Sequence, residues 1–201
     1  CISAERLVIH ADVYDEFVDR VVAKASDVSA GSGEDDQIGP ITMPSQVDVI
    51  RRHVADALDR GGRAVLGGLD AVGDSVVGPT VMVDVPDDAL AMTDETFGPT
   101  LVITKVGSMD EAVERANDSA YGLGATVFSK ARGAALAARI RSGMTSINSV
   151  ISFAGIAALP FGGIGESGFG RIHGEDGIRE FTRTKAVARQ RFAAPVARSS
   201  F

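Results

Sequence analysis

The sequence predicts an α/β protein in which a largely parallel sheet is flanked by layers of helices. Three observations predict it. Short β-branched and aliphatic runs of strand length recur along the chain, and none approaches the length of a membrane span. Between them, apolar residues return at helical spacing, so strand and helix alternate as they do when a buried sheet is covered on its faces. The 201 residues, 45% hydrophobic and 23% charged, suit about one large domain with an ordinary core, built mostly from Val, Ile, Leu and Ala because aromatics are few.

Leu7-Val8-Ile9-His10 reads as a short buried strand, and Val13, Phe17, Val21, Val22, Ala25 and Val28 then mark an amphipathic helix. The polar stretch Gly31-Ser32-Gly33-Glu34-Asp35-Asp36 reads as a solvated loop. Ser45 with Asp48 three residues on has the form of a capping box, opening a helix along Val47, Ile50, Val54 and Leu58 that Gly61-Gly62 ends. Residues 64–66 and 80–83 are candidate strands, and 101–106 is a stronger one. Ser108-Met109-Asp110-Glu111 is a second capping box, followed by a helix through Ala116. Residues 125–128 read as a strand. Residues 131–142 read as a helix with Arg139 and Arg141 in its last turn and Gly143 as its left-handed cap. Residues 145–148 read as another strand. From 150 to 177 the pattern dissolves into a Gly-rich loop, with a short helix expected near 177–181. Residues 186–190 alternate as a terminal strand set apart from the core, suited to a sheet edge on another subunit.

A net charge of −7 with no clustered Lys and Arg argues against a nucleic-acid partner, and no run is long enough for a membrane partner. The single cysteine, Cys1, cannot form an internal disulfide. With no targeting segment in view it points to a reducing, cytoplasmic setting. Cys1 is then a buried apolar thiol, a nucleophile, or an accident of where the chain begins. His10, His53 and His173 have no metal-ligand spacing and read as surface or satisfied core histidines.

Gly163-Ile164-Gly165-Glu166-Ser167-Gly168 matches the letters of a dinucleotide fingerprint but not its context. That motif needs a strand before it and a helix opening at its end. Here Pro160-Phe161 precedes and Phe169-Gly170-Arg171 follows, so the glycines are expected to permit tight turns where another segment approaches closely. Glu95-Thr96-Phe97-Gly98-Pro99 taken alone reads as a turn before a strand.

Cys1-Ile2-Ser3-Ala4-Glu5-Arg6, Glu95-Thr96-Phe97-Gly98-Pro99 and the run from Pro160 to Arg171 occur in this order, with Asn117-Asp118-Ser119-Ala120-Tyr121-Gly122-Leu123 between them and Thr182-Arg183-Thr184-Lys185 after them. In this order and at these separations the chain resembles the C-terminal half of the NAD(P)-dependent aldehyde dehydrogenase superfamily, beginning at its catalytic cysteine. The resemblance implies a catalytic domain over 1–183, an interface strand and tail over 184–201, and an upstream cofactor-binding domain outside this chain. It implies oxidation of a small-molecule aldehyde to a carboxylic acid, with NAD or NADP taking the hydride. Cys1 matches the nucleophile, whose sulfur forms a thiohemiacetal and then a thioester that water hydrolyses. Glu95 matches the carboxylate that holds the nicotinamide ribose hydroxyls, and Phe97 the aromatic that packs on the nicotinamide side. Phe153 and Phe161 fall where the family lines its aldehyde tunnel. The last strand implies a homo-oligomer.

The family's glutamate base and its oxyanion-hole asparagine lie upstream of the matching region, so these 201 residues alone are expected to bind cofactor poorly and not to turn over aldehyde. Two other classes compete. An N-terminal-nucleophile amide hydrolase would use Cys1 with its own α-amine as base, but such enzymes stack antiparallel sheets rather than alternate strands and helices. A non-catalytic assembly module would keep the fold and the interface strand, with Cys1 a relic.

Overall fold

The computed structural model describes residues 3–191. Its first sheet has four strands in the order β1-β4-β3-β2. These are β1 (Arg6–His10), β2 (Arg63–Leu66), β3 (Thr80–Val83) and β4 (Thr100–Val106). β4 pairs in parallel with β1, Arg6 opposite Val102, and with β3, Thr80 opposite Thr100. β2 is an antiparallel edge on β3. A second sheet holds β5 (Gly124–Val127) and β6 (Met144–Ile147), again parallel. The expected α/β class with mainly parallel pairing is what the structure has, divided between two sheets rather than joined in one.

Pleating explains the layers. Along β3, Val81 and Val83 point to one face and Met82 to the other, as alternation along a strand requires. Val81, Val83 and Ile103 of β4 meet α1 (Ala11–Ser26) through Tyr14, Phe17, Val18, Val21, Val22 and Ala25. Met82 and Val102 meet α2 (Pro44–Asp59) through Val47, Ile50, Val54 and Ala57. The short α3 (Leu90–Thr93) adds Ala91 and Met92 to that side. Helix, sheet and helix are thus stacked around two apolar clusters. Burying each large aliphatic side chain contributes on the order of 2 kcal/mol.

Several boundaries differ from those expected. α2 begins at Pro44, with Met43 as N-cap and no side-chain cap, so Ser45 is already inside the helix. Proline's fixed φ and missing N–H suit the first helical position. The Ser108 cap forms as expected: its Oγ accepts from the Glu111 N–H, 3.1 Å, at the start of α4 (Met109–Asn117). The helix expected over 131–142 is only α5 (Gly133–Ala137). Asn117 ends it early: its Nδ2 donates to the Arg139 carbonyl, 2.9 Å, and its Oδ1 accepts from the Arg141 N–H, 2.7 Å. Those backbone groups are turned toward α4 rather than along their own helix. Gly143 consequently is no left-handed cap; its N–H donates to the Gly122 carbonyl as the chain enters β6. The last helix, α6 (Gly174–Glu180), lies a turn earlier than expected because His173, at φ 66°, breaks the chain just before it. Residues 186–190 form no strand among the described residues; a segment whose expected partner is another subunit has no ladder to join within one chain.

Candidate functional site

The segment between α3 and β4 is held from three directions. Thr96 is 2% exposed and every one of its polar atoms has a partner. Its N–H donates to the Glu5 Oε2, 2.9 Å. Its carbonyl accepts from Gln46 Nε2 of α2, 2.7 Å. Its hydroxyl lies 3.0 Å from the His53 Nδ1 on the same helix. The next residue, Phe97, donates its N–H to the other Glu5 oxygen, 2.7 Å. Gly98 then passes over Ile50 so closely that a Cβ there would stand 2.7 Å from the Ile50 Cδ1. A carboxylate accepts only, so one Glu5 side chain serves two successive N–H groups with one oxygen each.

This anchoring exposes the two residues on either side of Thr96. Glu95 is exposed, and among the described residues it has no hydrogen bond or ion pair. Phe97 is 51% exposed and adopts φ 52°, a conformation that costs a bulky residue about 1–2 kcal/mol. Its ring is too exposed for burial to set that conformation. The paired hydrogen bonds to Glu5 fix the backbone leading into it.

His53, expected to be a surface or satisfied core histidine, is the latter: 1% exposed and partnered by Thr96. Burial pushes its pKa below the ordinary imidazole value, Arg52 acts in the same direction, and Asp94 and Asp56 oppose them. Arg6, beside Glu5, reaches past β1 to the end of α4, where Nη1 donates to the Asp118 and Arg115 carbonyls at 3.1 and 3.4 Å and Nη2 to that of Ala116 at 3.4 Å. A cation there complements the negative end of the helix dipole.

The Gly-rich segment is a stitched loop, as its sequence context implied. Gly165–Ser167 is a single 3-10 turn. The Glu166 N–H donates to the Ala120 carbonyl, the Ile164 N–H to that of Gly122, and the Gly122 N–H to the Ser167 Oγ. Gly165, at φ 60°, would put a Cβ 2.3 Å from the Ala120 carbonyl oxygen. Only a glycine permits that approach. Phe161 is half-buried; its backbone exchanges hydrogen bonds with Ile172, and its ring centroid lies 6.0 Å from that of His173. Phe153, expected beside it, is 6% exposed and packs its ring against Gly124 at the head of β5.

Glu95 and Phe97 therefore share one anchored loop. Among the described residues no hydrogen bond, ion pair or ring contact joins them to Phe153 or Phe161. Cys1 lies outside the described residues. Two clefts, of about 390 and 300 Å³, open elsewhere: one between His10, the start of α4 and α5, the other beside Asp84, Lys105 and Arg115. Both are lined by ion pairs, Arg139–Asp110 in the first, which also holds Arg132, and Arg115–Asp87 in the second. Among the described residues no group of three or more His, Cys, Asp or Glu side chains could hold a metal ion, and no helix is long and apolar enough to cross a membrane. Sequence reasoning missed Glu5, Gln46 and His53 as the supports of the loop. Glu5 stood inside a quoted motif without a role, and the other two gave no signal, since 50 and 43 residues separate them from Thr96.

The chain is thus a layered α/β domain that carries an anchored Glu-Thr-Phe-Gly-Pro loop and a stitched Gly-rich segment. Residues 1–187 match the aldehyde dehydrogenase family, and the chain belongs to that family. It is 41% identical over 192 residues to the NADP+ succinate-semialdehyde dehydrogenase of Deinococcus radiodurans, covering 93% of this chain and 40% of that protein. Among solved structures, it superposes with a TM-score of 0.90 on a salicylaldehyde dehydrogenase from Pseudomonas putida G7 complexed with salicylaldehyde, at 35% identity over 98% of this chain and 41% of that one. It also superposes with a TM-score of 0.83 on the succinic semialdehyde dehydrogenase of Streptococcus pyogenes in complex with NADP+, at 34% identity over 90% of this chain and 40% of that one. The chain spans about two fifths of the length of the curated relatives it matches.

Proposed function

We propose that this chain is the thiol-bearing part of an enzyme that oxidises a small aldehyde to its carboxylic acid with NAD or NADP. The observation that carries the reading is the pair of hydrogen bonds from Thr96 and Phe97 to Glu5, which ties the arm that begins at Cys1 to the loop that displays Glu95 and Phe97. Four peptide units separate Cys1 from Glu5, so their Cα atoms stand no more than about 14 Å apart.

The loop suits a nicotinamide cofactor. Both Glu95 oxygens are open to the two hydroxyls of a ribose, and the exposed Phe97 ring offers a flat apolar surface one step away. When bound, the cofactor supplies the hydride acceptor. The Cys1 thiolate bonds to the aldehyde carbon and the carbonyl oxygen becomes an alkoxide. The alkoxide re-forms its double bond as the C–H electrons leave as hydride, which makes a thioester. Water then breaks the C–S bond, giving the acid and returning the thiol with its proton. Phe161 and Phe153 form the apolar wall of the aldehyde site. The D. radiodurans and S. pyogenes relatives favour a semialdehyde as substrate and NADP as cofactor. Residues 1–183 form the catalytic unit, and the segment around 186–190 adds a strand to a neighbouring subunit of a homo-oligomer. The enzyme acts in a reducing cytoplasm, where its thiol stays free. Since relatives more than twice as long carry the complete activity, these 201 residues alone bind cofactor weakly and do not turn over.

The test replaces the matching segment of the D. radiodurans enzyme with this chain. The chimera is expected to reduce NADP+ when given succinate semialdehyde, and its Cys1→Ala form to be inert while still folding. A chimera that folds and assembles but oxidises no aldehyde would overturn the proposal, as would full activity after Cys1→Ala.

A further inference from the structure

We infer that Glu5 is a positioning residue that couples the thiol arm to the cofactor loop. This rests on the function proposed above. Its geometric core, however, stands on the described residues alone.

Glu5 is fixed at both ends. Its carbonyl accepts the Val102 N–H, 2.9 Å, at the start of the β1–β4 ladder, so its backbone is part of the sheet. Its half-buried carboxylate turns away from that ladder to take the N–H groups of Thr96 and Phe97. The two successive N–H groups converge on one carboxylate, one on each oxygen. Of the other anchors, Gln46 holds the carbonyl of the peptide unit whose N–H Glu5 takes, and His53 holds the Thr96 hydroxyl. Glu5 is thus the side chain that takes the N–H groups on both sides of Thr96, and it belongs to the same short arm as Cys1. Any displacement of that arm is transmitted to the loop through two charge-assisted bonds, and any displacement of the loop returns the same way.

Replacing Glu5 by Gln keeps the size but removes the charge, and it turns an NH2 group toward one of the two N–H donors. The loop keeps its Gln46 and His53 supports and loses the carboxylate's hold on the Thr96 and Phe97 N–H groups. In the isolated 201-residue chain, Glu5→Gln is therefore expected to speed amide exchange at Thr96 and Phe97 while leaving Ile103, in the middle of β4, protected. In the active chimera, losing bonds of this charged kind is expected to raise the KM for NADP+ roughly 10-fold to 100-fold. The KM for aldehyde and the melting temperature should change little. Glu5→Asp, which keeps the charge on a shorter stem, should recover part of the loss, and it serves alone if Glu5→Gln does not fold. A purely structural role would lower the melting temperature and impair both substrates together. That result would overturn the inference, as would unchanged Phe97 exchange or an unchanged KM for NADP+ in a folded variant. An unsubstituted chimera without activity would sink the proposed function instead, and the amide exchange would still decide the clamp.

Discussion

His53 Nδ1 stands 3.0 Å from the Thr96 hydroxyl, and neither side chain is more than 2% exposed. The two form a buried polar contact between the middle of α2 and the loop that precedes β4. A charged imidazole there would lose solvent without gaining a counter-ion in contact, which is why burial leads the causes that lower the His53 pKa. The sign of the pH effect follows. The unfolded chain protonates this imidazole near 6.5 and the folded chain protonates it only at lower pH. The contribution of neutral His53 is therefore complete above that value and is lost as pH falls from it toward the folded pKa. Urea titrations across this interval should show stability falling with acidification. A His53→Gln variant should show a flatter slope. Equal slopes in the two proteins would remove His53 as the cause.

Asn117 makes a separate prediction. Its amide holds the Arg139 carbonyl and the Arg141 N–H at once, and so ends α5. Asn117→Ala should cost about 0.5–1.5 kcal/mol, since both bonds are exposed and water can take the place of the lost amide. Asn117→Asp keeps the acceptor for Arg141 but sets an oxygen against the Arg139 carbonyl, so it should not restore stability. Thermal melts of the three proteins check the order. A silent Asn117→Ala would mean that residues 138–142 settle elsewhere at no cost.

Much of this was legible in the chain, and the reason lies in what each feature depends on. β1, β4, α1 and α4 are set by local apolar period and by the Ser108 cap, which are sequence-near signals. The length of α5 was misjudged because a residue more than 20 positions away takes its backbone partners. The division into two sheets depends on pairing, which strand composition does not specify. At the site, Glu95 and Phe97 could be named from their motif, but their supports could not. Glu5, Gln46 and His53 converge on Thr96 only after β1 and α2 are docked on the sheet.

Glycines in the last third of the chain should divide into two kinds. Gly165 combines φ 60° with a neighbouring carbonyl 2.3 Å from where a Cβ would be. Gly165→Ala should destabilise by about 2–4 kcal/mol, because neither the backbone nor Ala120 can yield without breaking the stitched loop. Gly155 has nothing within 4 Å of a Cβ and no positive φ. Gly155→Ala should be neutral or stabilising by about 0.5 kcal/mol through lower entropy of the unfolded chain. Denaturant midpoints for the pair test this, and an equal effect at both positions would contradict it.

The contact between Gly98 and Ile50 joins the core to the loop, so it predicts non-additivity. Ile50 is fully buried on α2, and a Cβ at Gly98 would meet its Cδ1 at 2.7 Å and its Cγ1 at 2.8 Å. Ile50→Ala should cost about 2–5 kcal/mol by opening a cavity beneath the loop. Gly98→Ala should cost about 1–3 kcal/mol by overpacking the same place. Combined, the added methyl enters the space that the isoleucine left, so the double variant should be more stable than the sum of the single costs by about 1 kcal/mol or more. The loop would respond as well, since Gly98 adjoins Phe97: Gly98→Ala alone should disturb amide exchange at Phe97, and the double variant should restore it. Strict additivity in a folded double variant would mean that the loop moves away from the added methyl instead of pressing it into the core, and Phe97 would then be held less firmly than its hydrogen bonds to Glu5 imply.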